Sequence, residues 1–523
     1  MDLDRGCLGK HLEAEDVVRT VRRRQDERGL PRDPASSQDD ARARGEVDHA
    51  PTVADLRLVA PACNDRIKVR SRGLAAFFSV LAGFAGCAAP PKGPFSEVVG
   101  APQVTRTDDE VVSPAASTTS PAAAPTLAFS TTVGHLEGPG RLLRFFDALS
   151  ALDDGHAHDD VRIAQYGDSH TASDLGVGVF RRLLQTRFGD GGRGFVSVGR
   201  PWKSYAQDGI HAGMTKDFEP EKIVYKGGHF SGDGCYGLLG IGIGASSGGA
   251  RAWTEVGARF SHVEFDYWQE PRGGSFDVFF DGAKAGRIAT RAPQPGSGYF
   301  GFDLADVPHQ VELRTVGDGD VRVFGMTLDR AQAGVVVDAL GINGAQIFTL
   351  LRANEEHFAE QLRHRAPELV VLAYGTNEAL EPGLTDAEYE QKLVEELGRI
   401  ERAVPAASCL LLGPPDLARH TKGRDDWKTW PRIVEIVAAQ RRVAEAAGCA
   451  FYDQLEAMGG PGGMAAWSSE PEPRGGRDRV HLTRTGYSQL ATSFATDLIR
   501  AYDDWRAEKG LEPTGAKVTW AKE

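Results

Sequence analysis

Along the chain, the spacing of apolar and polar positions falls into two alternating textures. Leu142, Leu143, Phe145, Phe146, Leu149 and Leu152 recur at helical spacing; Val161–Tyr166 reads as a buried strand; Phe180, Leu183 and Leu184 resume the helical period within Leu175–Phe188. From about Tyr205 to Asp329 that period is lost. Short alternating runs replace it at His262–Trp268, Ser275–Phe280, Gln310–Thr315 and Val321–Phe324, separated by turn signals such as Asp281-Gly282 and Gly317-Asp-Gly-Asp320. The first texture then returns. Strands at Val335–Leu340, Leu369–Tyr374, Cys409–Gly413 and Ala450–Tyr452 alternate with helices at Gln346–Arg363, Asp386–Ala403 and Arg432–Ala447, and a last helix carries Leu490, Phe494, Leu498 and Tyr502.

Strands alternating with helices imply a parallel sheet covered on both faces. The pattern predicts an α/β domain in two parts, 139–204 and 331–506, split by an antiparallel β-sandwich at 205–330, with a tail at 507–523.

The first 130 residues read differently. Residues 1–65 are highly charged without a sustained apolar period, like upstream sequence that is unstructured or not translated; translation starting near Val69 would explain them. Residues 66–87 run from a basic start through Gly73–Gly86, an apolar stretch, to Cys87, the layout of a secretory signal. Phe84-Ala-Gly-Cys87 looks like a bacterial lipobox, so Cys87 is the expected lipidation site and the mature protein an exported, lipid-anchored lipoprotein of the cell envelope. The Pro/Ala/Ser/Thr-rich segment 88–128 lacks the apolar content to fold and reads as a tether.

Composition adds little. The 523 residues are 41% apolar and 25% charged, ordinary for a soluble globular protein. A formal charge of −13 argues against a nucleic-acid partner. No apolar run reaches the roughly 20 residues that span a bilayer. The six cysteines lack zinc-type spacing. Cys409 and Cys449 each sit just before or at the start of a predicted strand, where they could pair in an exported protein; two buried thiols are the expectation.

Chemistry concentrates in four segments at predicted strand ends: Gly167-Asp-Ser169-His170, Gly341-Ile-Asn-Gly344-Ala345, Gly375-Thr-Asn377-Glu378 and Asp478-Arg-Val-His481. Ligands of open parallel sheets sit beyond the carboxyl ends of the strands, where all four fall. A serine hydroxyl becomes a nucleophile when an imidazole takes its proton, and a carboxylate holds that imidazole in the right tautomer. Each segment alone has a blander reading, since Gly167-Asp-Ser169 could be a turn closing a strand. Two other patterns lack their context: Gly244-Ala-Ser-Ser-Gly248 has no helix after it, and Gly189–Gly194 follows a helix where a dinucleotide loop follows a strand.

In this order the segments resemble the block pattern of the SGNH/GDSL hydrolase superfamily, in particular peptidoglycan O-acetylesterases with a β-sandwich like a carbohydrate-binding module inserted between the first two blocks. Glu378 departs from the usual Asp. The resemblance implies a flavodoxin-like α/β/α sandwich without metal or nucleotide. It implies Ser169 as nucleophile, His481 as base, Asp478 as its orienter, and Ser169, Gly344 and Asn377 as oxyanion donors. His170 and Trp467 are candidate substrate contacts. The expected activity is removal of acetyl from cell-wall glycan through an acetyl-enzyme, with an acetylated glycan and a membrane, held through the lipid, as partners. An esterase or acetyltransferase for another polysaccharide, a lipase-like enzyme and a non-catalytic glycan-binding lipoprotein remain open.

Overall fold

The computed structural model describes residues 132–224, 232–420 and 426–512; the expected signal segment, Cys87 and the tether lie outside them. Five parallel strands form the first sheet: β1 (Val161–Gly167), β2 (Val335–Gly341), β3 (Leu369–Ala373), β4 (Ser408–Leu412) and β5 (Ala450–Tyr452). They pair in the order β2-β1-β3-β4-β5, and a hairpin of Thr132–Val133 with Leu136–Glu137 adds antiparallel to β5. This is the flavodoxin-like order, whose direction reverses between β1 and β3.

The main helices are α1 (Leu143–Asp153), α2 (Leu175–Phe188), α3 (Glu355–Arg365), α4 (Asp386–Ala403), α5 (Pro431–Ala447) and α6 (Arg484–Glu508). Successive strand residues point to opposite faces. Ile163, Val337 and Val371 pack with residues of α1, α2 and α6, whereas Ala164, Tyr166 and Leu372 pack with residues of α3, α4 and α5. Both faces are therefore buried, which is why these strands read as apolar runs. The helix expected over 346–363 is broken: Ile347–Leu350 is one short helix, and the side chain of Asn354 accepts from the His357 amide to start α3.

Cys409 and Cys449 form a disulfide where two thiols were expected, with Cα atoms 4.8 Å apart. Leu410 of β4 is paired with Ala450 of β5, so the residues just before them are neighbours. Strand register decides this, and register was not visible in the cysteine spacing.

The insert is one nine-stranded antiparallel sheet folded over on itself. Two strands, Arg251–Gln269 and Gly296–Thr315, are far longer than the runs their alternation suggested. Phe302 is paired with Val263 and Phe280 with Val311, and residues 302 and 311 of a straight strand would lie roughly 30 Å apart. Yet the Phe280 and Phe302 rings are 5.4 Å apart. The strand bends at register shifts around Val307, and the two resulting layers enclose Phe265, Phe276, Val311 and Met326. Gly192–Val196, ahead of the expected boundary, also joins this sheet by pairing with Val321–Asp329, so the glycine run at 189–194 leads into a strand.

The insert rests on α3. The Tyr299 and His364 rings stack, Glu264 lies 2.7 Å from His364 Nε2, and the Gly237 amide donates to His357 Nε2 at 3.0 Å. Ile223, Tyr236 and Leu239 of the insert share a core with Ile342, immediately after β2.

Candidate active site

The carboxyl ends of β1, β2 and β3 converge at the reversal of strand order. The Ile342 amide donates to Gly167 O at 3.0 Å, tying the ends of β1 and β2 together. The approach is close enough that a Cβ at Gly341 would lie 2.2 Å from the Ala172 backbone nitrogen, so a side chain is excluded there.

Ser169 opens a one-turn helix, Ser169–Ala172, directly after β1. The buried Asp168 side chain accepts from the His170 amide at 2.9 Å. The turn reading of this segment is thus correct, and the turn is what presents Ser169. Burial pushes the Asp168 carboxyl up to about 6, against the pull of the His170 amide and of His481.

Ser169 Oγ lies 2.8 Å from His481 Nε2, and His481 Nδ1 lies 2.7 Å from Asp478 Oδ2. Asp478 Oδ1 also accepts from the amides of Val480 and His481, each at 3.0 Å. Burial favours the protonated form of Asp478, but the His481 ring and these two amides outweigh it and hold the carboxylate well below the usual range. The hydrogen bond to Asp478 raises the imidazole of His481 above its ordinary value against the opposing effect of burial. With Nδ1–H donating to Asp478, Nε2 accepts from the serine hydroxyl. That tautomer is the one a general base needs.

Gly344 lies in the turn after β2 with φ of 77°, a conformation that favours glycine. The amides of Ser169 and Gly344 donate to no protein acceptor among the described residues. One hydrogen of the Asn377 side-chain amide goes to Ala345 O at 2.9 Å, which holds the side chain beside the same turn and leaves its second hydrogen.

Of the two expected substrate contacts, Trp467 is corrected and His170 lies beside the relay. Trp467 is 4% exposed and packs with Met464, Leu482 and Tyr487, while the Arg474 guanidinium covers its ring at 4.2 Å. His170 has its ring 5.2 Å from that of His481 and its Nδ1 2.9 Å from the Tyr487 hydroxyl. Burial, reinforced by His481, lowers its pKa to about 3, so the half-buried ring is neutral beside the relay.

Glu378, the departure from the usual Asp, ties two loops of the site together. Fully buried, it accepts from the Ile347 amide through Oε1 at 2.7 Å and from the Gly375 amide through Oε2 at 3.0 Å. It thereby ties the loop after β2 to the loop after β3, and burial raises its carboxyl to about 8. Its bond back to Gly375 has the three-residue reach of a capping box, a signal present in the sequence. The bond to Ile347 was not. In Glu378→Gln one oxygen becomes a donor facing a backbone N–H, so kcat on a small aryl acetate is expected to fall about 10- to 100-fold. A lower melting temperature with unchanged kcat would make Glu378 a scaffold residue only.

Among the described residues no cluster of His, Cys, Asp or Glu is arranged to hold a metal, and no helix is long and apolar enough to cross a membrane.

Residues 310–489 match the model of the GDSL-like lipase/acylhydrolase family. The match takes in Gly344, Asn377, Asp478 and His481 and leaves out Ser169, which the insert separates from them in sequence. No curated protein matched. Among solved structures, one described as a peptidoglycan O-acetylesterase in action is 24% identical with a TM-score of 0.60, covering 71% of this chain and 100% of its own. That share exceeds what the α/β part alone could fill, so the likeness in fold extends into the β-rich insert. A family two carbohydrate esterase from Clostridium thermocellum, in complex with cellohexaose, is 10% identical with a TM-score of 0.22, covering 51% of this chain and 95% of its own.

Proposed function

We propose that this chain is an SGNH/GDSL-type ester hydrolase with an additional β-rich domain, and that it removes O-acetyl groups from cell-wall glycan, peptidoglycan in the first place, through an acetyl-enzyme. The observation that carries the mechanism is the continuous relay from Ser169 Oγ through His481 to Asp478, with hydrogen bonds of 2.8 and 2.7 Å, at the reversal point of the sheet.

In this reading His481 Nε2 takes the Ser169 proton as Oγ attacks the ester carbonyl carbon. The carbonyl oxygen gains the negative charge, and the Ser169 and Gly344 amides with the Asn377 side chain stabilise it. Donors fixed in place before the charge develops cost no reorganisation during the step. The intermediate collapses by breaking the bond to the sugar oxygen, which leaves with the proton held on His481. Water then repeats the sequence on the acetyl-enzyme, releasing acetate and restoring Ser169.

The glycan part rests on three supports. The export signal ending at Cys87 would carry the enzyme, lipid-anchored, to the envelope. The insert reaches Ile342 beside the turn of Gly344, where it can position a polymer. The first solved neighbour is described as a peptidoglycan O-acetylesterase.

The test is acetate release by the purified protein from O-acetylated peptidoglycan, beside an aryl acetate. Release from both is expected. Cleavage of the aryl acetate alone would keep the chemistry and discard the glycan.

A further inference from the structure

Asp478 and His481 lie in the loop before α6, with side chains 53% and 43% exposed, so no strand of the sheet holds them directly. A small antiparallel hairpin, Ala418–His420 paired with Trp427–Thr429, stands against this loop. The contact centres on Arg479, between the two relay residues, whose φ of 61° is a left-handed conformation uncommon outside glycine. Its amide donates to Gly476 O at 3.1 Å, and its carbonyl accepts from the Ala418 amide at 3.0 Å. Its guanidinium lies over the Trp427 ring at 4.9 Å. The Gly476 amide in turn donates to His481 O at 2.7 Å, which closes the loop on itself.

The other end of the hairpin is anchored beside Asn377. Trp430 follows the hairpin and caps the start of α5. Its backbone N–H donates to Leu417 O and its indole Nε1–H to Ala379 O, each at 2.7 Å. Ala379 is buried in the short turn Glu378–Leu380, which begins directly after Asn377. An indole N–H taken out of water needs an acceptor, so this bond fixes the ring and the carbonyl against each other. The base of the hairpin is pinned as well: the buried Asp416 accepts through Oδ2 from Thr429 Oγ1 at 3.0 Å and from the Met464 amide at 2.8 Å. Three hydrogen bonds therefore run in series between the two catalytic loops. They join Trp430 Nε1 to Ala379 O, Trp430 N to Leu417 O and, one residue on, Ala418 N to Arg479 O.

We infer that Trp430 is a positioning residue for ester hydrolysis: it sets the Asn377 side chain relative to His481, and Trp427 steadies the loop of Asp478 and His481 from the other end of the same hairpin. This rests on the oxyanion role proposed for Asn377. Neither tryptophan meets the reacting atoms; each acts through the loop it holds. The arrangement matters because the donor must stand where the oxygen charge develops while the base stands at Ser169, and a displacement of about 1 Å can cost roughly 10²-fold in rate.

The test is a double-mutant cycle read as kcat on a small aryl acetate. Trp430→Phe keeps a ring and loses the N–H; benzothienylalanine at position 430 keeps the full indole shape with sulfur in place of the N–H. Each should lower kcat about tenfold and leave KM within about twofold, the pattern of an interaction made in the transition state. In an Asn377→Ala background the same replacements should change kcat less than about twofold, because the group they position is gone. Trp427→Leu should lower kcat severalfold in both backgrounds, since it acts through His481. Unchanged kcat in both position-430 variants would overturn the inference, as would an equal loss with and without Asn377, which would make Trp430 a scaffold residue only. The benzothienylalanine protein decides the matter if Trp430→Phe does not fold. An Asn377→Ala enzyme with wild-type kcat would instead remove the oxyanion role of Asn377, and this inference with it.

Discussion

Ser169→Ala is expected to lower kcat by about 10⁶ on any ester the wild type cleaves, leaving only what binding and the oxyanion donors supply without a nucleophile. Among the described residues no other group is placed to substitute. Ser169 Oγ is the atom 2.8 Å from His481 Nε2, and the nearby His170 is tied to Tyr487 and neutral. The fold should barely respond. The Ser169 hydroxyl is only half-buried, it is hydrogen-bonded to His481, and the turn that presents it is held by the Asp168 side chain. Unfolding stability within about 0.5 kcal/mol of wild type is therefore expected. A fluorophosphonate should label the wild type at Ser169 and leave the variant unlabelled. Turnover by a folded Ser169→Ala protein within tenfold of wild type would remove Ser169 from the mechanism.

Asp478→Asn is expected to cost about 10⁴ in kcat, and to move the pH profile as well. The imidazole must be neutral to accept the serine proton, so wild-type activity should rise with pH through the His481 pKa and level off above it. That pKa is raised chiefly by the hydrogen bond to the Asp478 carboxylate, which favours the protonated ring. Asparagine removes the charge, the His481 pKa falls, and the acid limb moves to lower pH even as the plateau drops. The plateau drops because an amide that donates to Nδ1 stabilises the tautomer with its proton on Nε2, where the base must be free. The variant can keep an oxygen for the Val480 and His481 amides, so the loop should persist, and circular dichroism and melting would check this. An acid limb that stays in place would mean that Asp478 does not set the charge on His481.

Much of the protein was legible in its sequence for simple reasons. Buried parallel strands must be apolar on both faces, so β1 to β4 stand out as runs, and helices that cover them must carry an apolar stripe. Thr385 with Glu388 marks the start of α4 to the residue, because a capping box is a local interaction. Three of the four segments follow the ends of β1, β2 and β3, where the apolar runs stop, whereas Asp478–His481 lies in the loop before α6; the match of residues 310–489 to an acylhydrolase family takes in the last three.

What could not be read depends on contacts between residues distant in the chain. The length of the two bent strands was hidden because a bulged strand shared by two layers changes which face is buried along its course. The role of Glu378 was hidden because the Ile347 amide that donates to its carboxyl lies 31 residues away in sequence. Trp467 looked like a pocket wall because an aromatic in a glycine-rich loop carries no sign of burial, and only the packing of Met464, Leu482 and Tyr487 around it decided otherwise. The cysteine pair turned on a strand register. The sequence by itself determined the fold class and the chemical inventory, since periodicity and residue type are local properties. Tertiary structure decided which of those groups share hydrogen bonds and which are buried or left unpaired, because desolvation and register exist only between segments that folding brings together.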